Sequence, residues 1–333
     1  MKHLAAVLVL AATPAIGAAQ TAAPGALLTT THFAFYSDLA TNVNDALIAA
    51  VGARRAMQPE LFRAGPEQAC FDALPASARD GWTRGVGYYV EGKSTGLQRL
   101  LLRLELAGLV PRDAITDTVN RGYLEEVAAI RAAATHAYQQ CRWPAQDARN
   151  RAWLDQVRPL LARHEAAVGQ ELPRLYRVPW NGLPFRVDIV DVVSVNGGNS
   201  ASPDSPTLHI LISSSNATNQ QANALEMLFH EASHFLTTPD SPLSAALAAA
   251  AREVNLTLPN DIVHQVHFFI TGDAVRRVRA RAGEAYTPVV LAQKLFPDAS
   301  REAIARTWPA YLDGSKTMNE AAADLVQALA AAR

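Results

Sequence analysis

Little in this chain is charged. Of its 333 residues 18% are Asp, Glu, Lys or Arg, and 30 basic against 31 acidic groups leave a formal charge of −1. A chain without a basic excess lacks the electrostatic footprint that nucleic-acid phosphates or an anionic membrane surface require, so neither partner is expected. Long apolar runs are also missing. The only one near a terminus, residues 4–12, is far shorter than the roughly 20 residues that cross a bilayer core of about 30 Å. With 2 cysteines, no Cys-rich zinc cage can form, so a metal site must use histidine and carboxylate. Neither a Gly-rich phosphate loop nor a serine nucleophile elbow is present.

What is present suffices for a folded core. Hydrophobic residues make up 49% of the chain, and its length suits one large or two modest domains. The start, Met1, Lys2 and His3 followed by the apolar stretch and by Gly17, Ala18 and Ala19, reads as a secretory signal over residues 1–19. The mature chain is then expected to begin near Gln20 in the periplasm or outside a bacterial cell, with no stable membrane insertion after cleavage. In that oxidising setting Cys70 and Cys141 are expected to close a disulfide.

The pattern along the chain is mostly helical. Ser37 and Asp38 are good caps for a stretch carrying Leu39, Val43, Leu47 and Val51 at helical spacing. Further helices are expected over 76–90, 95–106, 112–142 and 145–176, which makes 20–178 a helical N-terminal region. The texture changes at Pro179, Trp180, Asn181 and Gly182. The β-branched run that follows predicts a strand over 185–195, then a Gly/Asn/Ser/Pro loop over 196–206, and a second strand over 207–214. Helices then follow over 220–236, 242–254, 261–282, 288–295, 300–312 and 318–331. The expected class is α+β, predominantly α-helical, with a small sheet beside one central helix in a region 179–333 that is either separate or continuous with the first.

The residues that point to chemistry lie in that helix. His230, Glu231 and His234 spell H-E-x-x-H, which on a helix places two imidazoles one turn apart on one face, where they can bind one zinc ion. Glu231, adjacent to the first histidine, can act as general base on a water activated by the ion. The flanking Leu225, Leu228, Phe229, Ala232, Phe235 and Leu236 make the helix a largely buried one.

With this motif the chain resembles the HExxH zinc metallopeptidases, or zincins. More narrowly it is similar to a set of poorly characterised bacterial exported HExxH proteins. The stretches that carry the likeness are "HFAFYSDLATNVNDAL" from His32, "ALEMLFHEASH" from Ala224, "HQVHFFITGDAVRR" from His264 and "WPAYLDGSKTMNEAAADLV" from Trp308. The resemblance implies one Zn²⁺ ion, a peptide or protein substrate, and a strand before the active-site helix along whose edge an extended peptide pairs; residues 207–213 stand in that place.

A zinc site needs a third protein ligand. The metzincin pattern fails, since Thr237 replaces its glycine and Asp240 its third histidine, and Asp240 is explained as well by capping before Pro242. Gly272-Asp273 resembles the Gly-Glu that supplies the third ligand in glutamate-type zincins, which makes Asp273 the expected ligand. His264 is the other contender. It lies nine residues earlier, half a turn away around an ideal helix, so the two cannot easily face one ion. If Asp273 binds, His264 can polarise the substrate carbonyl; if His264 binds, Asp273 can orient a histidine. His267 is expected as a neighbour, and Glu226 as a partner of a ligand imidazole or of a surface charge. Tyr36, Tyr88, Tyr89 and Tyr286 are expected at core edges or as oxyanion donors. The alternative to a hydrolase is a non-catalytic exported protein that uses the zinc as a structural or binding element.

Overall fold

The computed structural model describes residues 25–55, 65–92, 94–192, 198–200 and 208–332. The expected signal segment and most of the loop 196–206 lie outside the described residues.

The chain enters through two short strands, β1 (Leu28–Thr29) and β2 (Phe33–Tyr36), followed by six helices: α1 (Leu39–Arg55), α2 (Pro66–Ala73), α3 (Ala76–Glu91), α4 (Gly96–Leu106), α5 (Thr118–Cys141) and α6 (Trp143–Tyr176). Strands β3 (Phe185–Val190), β4 (Gly198–Ser200) and β5 (His209–Ser213) come next. The remainder is α7 (Ala222–Ser233), α8 (Pro242–Glu253), α9 (Ile262–Arg281), α10 (Val289–Ala292), α11 (Asp298–Thr307), α12 (Pro309–Leu312) and α13 (Met318–Ala331). The fold is thus the expected predominantly helical α+β arrangement.

Local signals explain most of these boundaries. The Asp38 carboxylate accepts the Thr41 N–H at 2.8 Å and so starts α1 as an N-cap. Thr95 and Gln98 form a reciprocal capping box on α4, and Thr317 and Glu320 do the same on α13. Pro144 sits in the first turn of α6, where a missing N–H costs nothing.

The sheet has the order β1-β2-β3-β5-β4, with β2, β3 and β5 parallel and the outer strands β1 and β4 antiparallel to their neighbours. The strand expected over 185–195 ends at Val190. Beyond it β4, three residues read from sequence as loop, forms the sheet edge among the described residues. The peptide-pairing edge expected at 207–213 is therefore not β5, whose two sides are taken by β3 and β4.

One face of the sheet carries Phe33, Phe35, Phe185, Val187, Ile189, Ile210 and Ile212, all at most 1% exposed, into the main core. That core also takes Trp153, Val157, Leu161 and Leu172 from α6 and the apolar faces of α7, α8, α9, α11 and α13. Hence α6 and β2, from the helical first half of the sequence, build the same core as the HExxH helix. Two smaller clusters lie among α1, α2, α3 and α5, and between α4 and α5. Cys70 and Cys141 form the expected disulfide, tying α2 to the last turn of α5. This bond is compatible with an exported protein, and no described helix is long and apolar enough to cross a membrane.

The opposite face of the sheet is polar and is covered by α1 and α4. Asn42 of α1 and Asn150 of α6 both donate to the Ile189 carbonyl, at 3.0 and 2.9 Å. Asp188, fully buried, accepts from Arg186 and lies 2.6 Å from His209 Nε2. This polar layer anchors the strands next to the site.

Candidate metal centre

Helix α7 is buried along its length from Ala224 to Ser233, because nearly every face of "ALEMLFHEAS" is apolar or enclosed. It ends in a 3-10 turn over His234–Leu236, so His230 and His234 sit on the last α-turn and the first residue beyond it. Their rings lie 4.9 Å apart between centroids. Helix α9 crosses α7 and brings His264 and His267 to the same place. Three residues apart on one helical face, both rings lie 4.4 to 5.2 Å from those of His230 and His234.

His230, His234 and His267 each offer a ring nitrogen within 4.8 Å of the others, a group that can hold a metal ion. Burial keeps all four imidazoles neutral. It pushes His230 and His267 well below the usual histidine range and His234 to about 3, and the neighbouring histidines add to the shift. His264 is lowered by burial as well, with Asp261 opposing. Neutral imidazoles present lone pairs, so the donor set suits a cation.

The bonding of the four is unequal. His267 Nε2 donates to the His230 carbonyl at 3.0 Å, which leaves Nδ1 as an acceptor facing the Tyr176 hydroxyl at 2.9 Å. Both its nitrogens are engaged within protein. His264 presents Nε2 to His230 Nε2 at 3.2 Å. Two nitrogens bound to one tetrahedral zinc at about 2.0–2.1 Å would lie about 3.3 Å apart. Phe268 and Phe296 wall this pair from the side. His230 Nδ1 is buried with no hydrogen-bond partner among the described residues.

Asp273, expected as the third ligand, is elsewhere. Its two carboxylate oxygens are held by Arg276 and Arg277 on its own helix, and it is not among the residues that gather at the cluster. The half-turn offset from His264 is the reason: with His264 and His267 facing α7, Asp273 points away. Asp240 is exposed, and the cap of α8 is Ser241, whose hydroxyl accepts the Ser244 N–H. Glu226 binds no histidine. It accepts from the Tyr286 hydroxyl at 2.7 Å and from the Val289 N–H, and burial pushes it up to about 7. Tyr286 is thereby engaged, as are Tyr36 under the Arg186 guanidinium, Tyr88 with Glu126 and Tyr89 with Asn44.

Glu231 leaves α7 toward the sheet edge. The backbone of β4 comes so close that a Cβ on Gly198 would stand 2.5 Å from its Oε1, and Ser200 donates to the carboxylate from both backbone and side chain. Burial pushes Glu231 up to about 7, opposed first by the charge of Arg103. A carboxylate poised near neutrality beside a group of neutral histidines can take a proton from water and return it.

Arg103 has no counterpart in the sequence reading. From α4 its Nε donates to His209 Nδ1 at 2.9 Å, and its other nitrogens donate to the side chain and carbonyl of Asn199 and to the His209 carbonyl. One guanidinium thus fastens β4 to β5 directly behind Glu231. In sequence it is one arginine of an amphipathic helix, and nothing local distinguishes it from Arg99. No protein-family model, curated protein or solved structure matches the chain.

Proposed function

We propose that the protein is a zinc-dependent hydrolase, a peptidase, with one Zn²⁺ held by His230, His234 and His264. The observation that carries this reading is the 3.2 Å separation of His230 and His264 Nε2 atoms inside a cluster of neutral histidines, of which His230 and His267 are buried and His234 and His264 half-buried, with Glu231 next in the chain. When bound, such an ion polarises a carbonyl and increases the acidity of water.

The rest is done by the chain. In this reading His267, whose ring nitrogen lies within 4.8 Å of those of His230 and His234, is held off the ion by its bonds to the His230 carbonyl and the Tyr176 hydroxyl, and it ties α9 to α7. Glu231 removes the proton from the attacking water and delivers it to the leaving amine, so that the peptide C–N bond breaks as the new C–O bond forms. Ser200 and Arg103 hold that carboxylate at the sheet edge and favour its charged form. The expected signal segment and the Cys70–Cys141 disulfide fit work in the periplasm or outside the cell.

A second reading has one observation in its favour. Four histidines converge, and a site closed by all four would be structural, with no place for water. The engagement of both nitrogens of His267 favours the three-ligand site. Glu231→Gln separates the two readings: the hydrolase retains its zinc and loses about 10²- to 10⁴-fold in peptide turnover. A wild-type protein that is fully zinc-loaded and turns over no peptide supports the structural reading instead.

A further inference from the structure

A histidine that binds a metal is as a rule turned toward it by a hydrogen bond at its other ring nitrogen. Among the described residues His264 has no such bond. Its one hydrogen-bond contact there is Nε2 against His230, and Asp261, three residues earlier, acts on it through charge. Neighbouring rings hold it instead. His234 stacks on it at 5.2 Å between centroids, and Phe268, four residues later on α9, meets it at 5.8 Å. Phe296, from the turn between α10 and α11, stands edge-on to it at 5.8 Å with the planes at 83°, and rests on Phe268 at 6.0 Å.

The backbone of that turn sets Phe296 apart from the other rings. Two of its residues lie in the left-handed region without being glycine, Lys294 at φ 50° and Phe296 at φ 69°. Lys294 has a local reason: it follows the end of α10, where glycine commonly closes a helix, and the Leu295 N–H returns to the Val290 carbonyl at 3.2 Å. Phe296 has no such reason. It lies outside both helices, and a bulky side chain in this region is strained. Neighbours on α11 fix the turn in that form. Arg301 Nη1 donates to the carbonyls of Lys294 and Phe296, at 3.2 and 3.0 Å, and Ser300 Oγ donates to that of Pro297 at 3.1 Å. The Arg301 guanidinium is itself paired with Asp298.

We propose that Phe296 is a positioning residue for His264: the strained turn presses its ring against the imidazole and keeps Nε2 directed at His230. The fold tolerates an unfavourable backbone at one residue, and what that residue touches is the half-buried histidine that lacks a hydrogen-bonded orienter. The proposal rests on the three-histidine reading only for its effect on the metal.

The test uses the intact chain with isotope-labelled histidine, first metal-free in nuclear magnetic resonance relaxation and then titrated with Co²⁺ in place of zinc. Phe296→Ala should loosen the His264 imidazole, read as a fall in the order of its ring carbons, while His267, bonded at both nitrogens, stays as in wild type. The same variant should bind Co²⁺ about 10- to 100-fold more weakly, the usual loss when a ligand's orienting neighbour is removed. Phe296→Tyr, which keeps a ring, should match wild type in both readouts. Arg301→Ala, which leaves the ring but frees the turn, should move both in the direction of Phe296→Ala. Unchanged His264 order or Co²⁺ affinity in Phe296→Ala overturns the proposal, as does a Phe296→Tyr protein as impaired as Phe296→Ala or an Arg301→Ala protein indistinguishable from wild type. A wild type that binds no Co²⁺, with His264 still loosened in Phe296→Ala, upholds the positioning and sinks the metal reading. Co²⁺ bound by wild type, with His264 equally ordered in Phe296→Ala, does the reverse.

Discussion

His230 and His264, 34 positions apart in the chain, face each other through their Nε2 atoms at 3.2 Å where α9 crosses α7. Two neutral imidazoles gain little from this contact, since only one can donate to the other, and both have lost water. A cation between them would convert a costly arrangement into a favourable one.

The close approach of Gly198 to Glu231 gives a direct test of the base. A methyl group at this position would overlap Oε1 of Glu231, which lies 2.5 Å from the Cβ position. Because the obstructed atoms are the end of a side chain, the carboxylate moves and the fold survives. Gly198→Ala should keep its metal and its thermal midpoint while peptide turnover falls about 10- to 100-fold, the scale of a 1 Å misplacement. Metal content and turnover measured on one preparation check this.

Asp45 makes stability depend on pH. Burial pushes its carboxyl from 3.8 up to about 8, with Asp191 adding to the rise and the Val192 N–H, Arg142 and Arg103 opposing it. A raised carboxyl binds its proton more tightly in the folded chain, so its stabilising contribution is complete below about pH 4 and is lost as pH rises through about 8. Asp45→Asn should remove this slope, and its stability relative to wild type should improve steadily from pH 5 to pH 8. Urea unfolding at several pH values measures it; a difference constant with pH would contradict the shift.

The disulfide closes a loop with a sequence separation of 71 between Cys70 and Cys141. In the chain-entropy account, opening such a loop costs about 4 kcal/mol. The paired substitution of both cysteines by serine should lower the unfolding free energy on that scale in denaturant titrations. Its effect should centre on α2, α3 and α5, because the bond lies at their cluster and away from the histidines.

Much of this architecture was legible in the sequence, and the exceptions share a cause. Helices with long periodic faces, such as α4, α5 and α6, declare themselves, and H-E-x-x-H is contiguous, so α7 and its histidines follow directly. Strand β4 is Gly198, Asn199 and Ser200, which have turn chemistry and no alternation; only its pairing with β5 makes it a strand. The two strands before α1, Leu28–Thr29 and Phe33–Tyr36, have strand-forming residues but are two and four residues long, too short for alternation to declare them. On α9 the helical period showed that His264 and Asp273 could not both face one ion, but the choice was made by packing. The arginines at 276 and 277 supply partners for Asp273 on its own face, and the α7 crossing selects the other side. Arg103 was invisible because its partners, His209 and Asn199, lie about a hundred residues away.

The central claim is that three histidines, and not Asp273, hold one zinc ion. Metal analysis by inductively coupled plasma mass spectrometry of wild type, His230→Ala, His264→Ala, His267→Ala and Asp273→Ala tests it most directly. One zinc per chain is predicted in wild type and in Asp273→Ala, with loss of the ion in His230→Ala and His264→Ala. His267→Ala, which removes a helix tie and no ligand, should keep zinc with weakened affinity. A wild type that takes up no zinc, or an Asp273→Ala protein that loses it while His264→Ala retains it, would contradict the account.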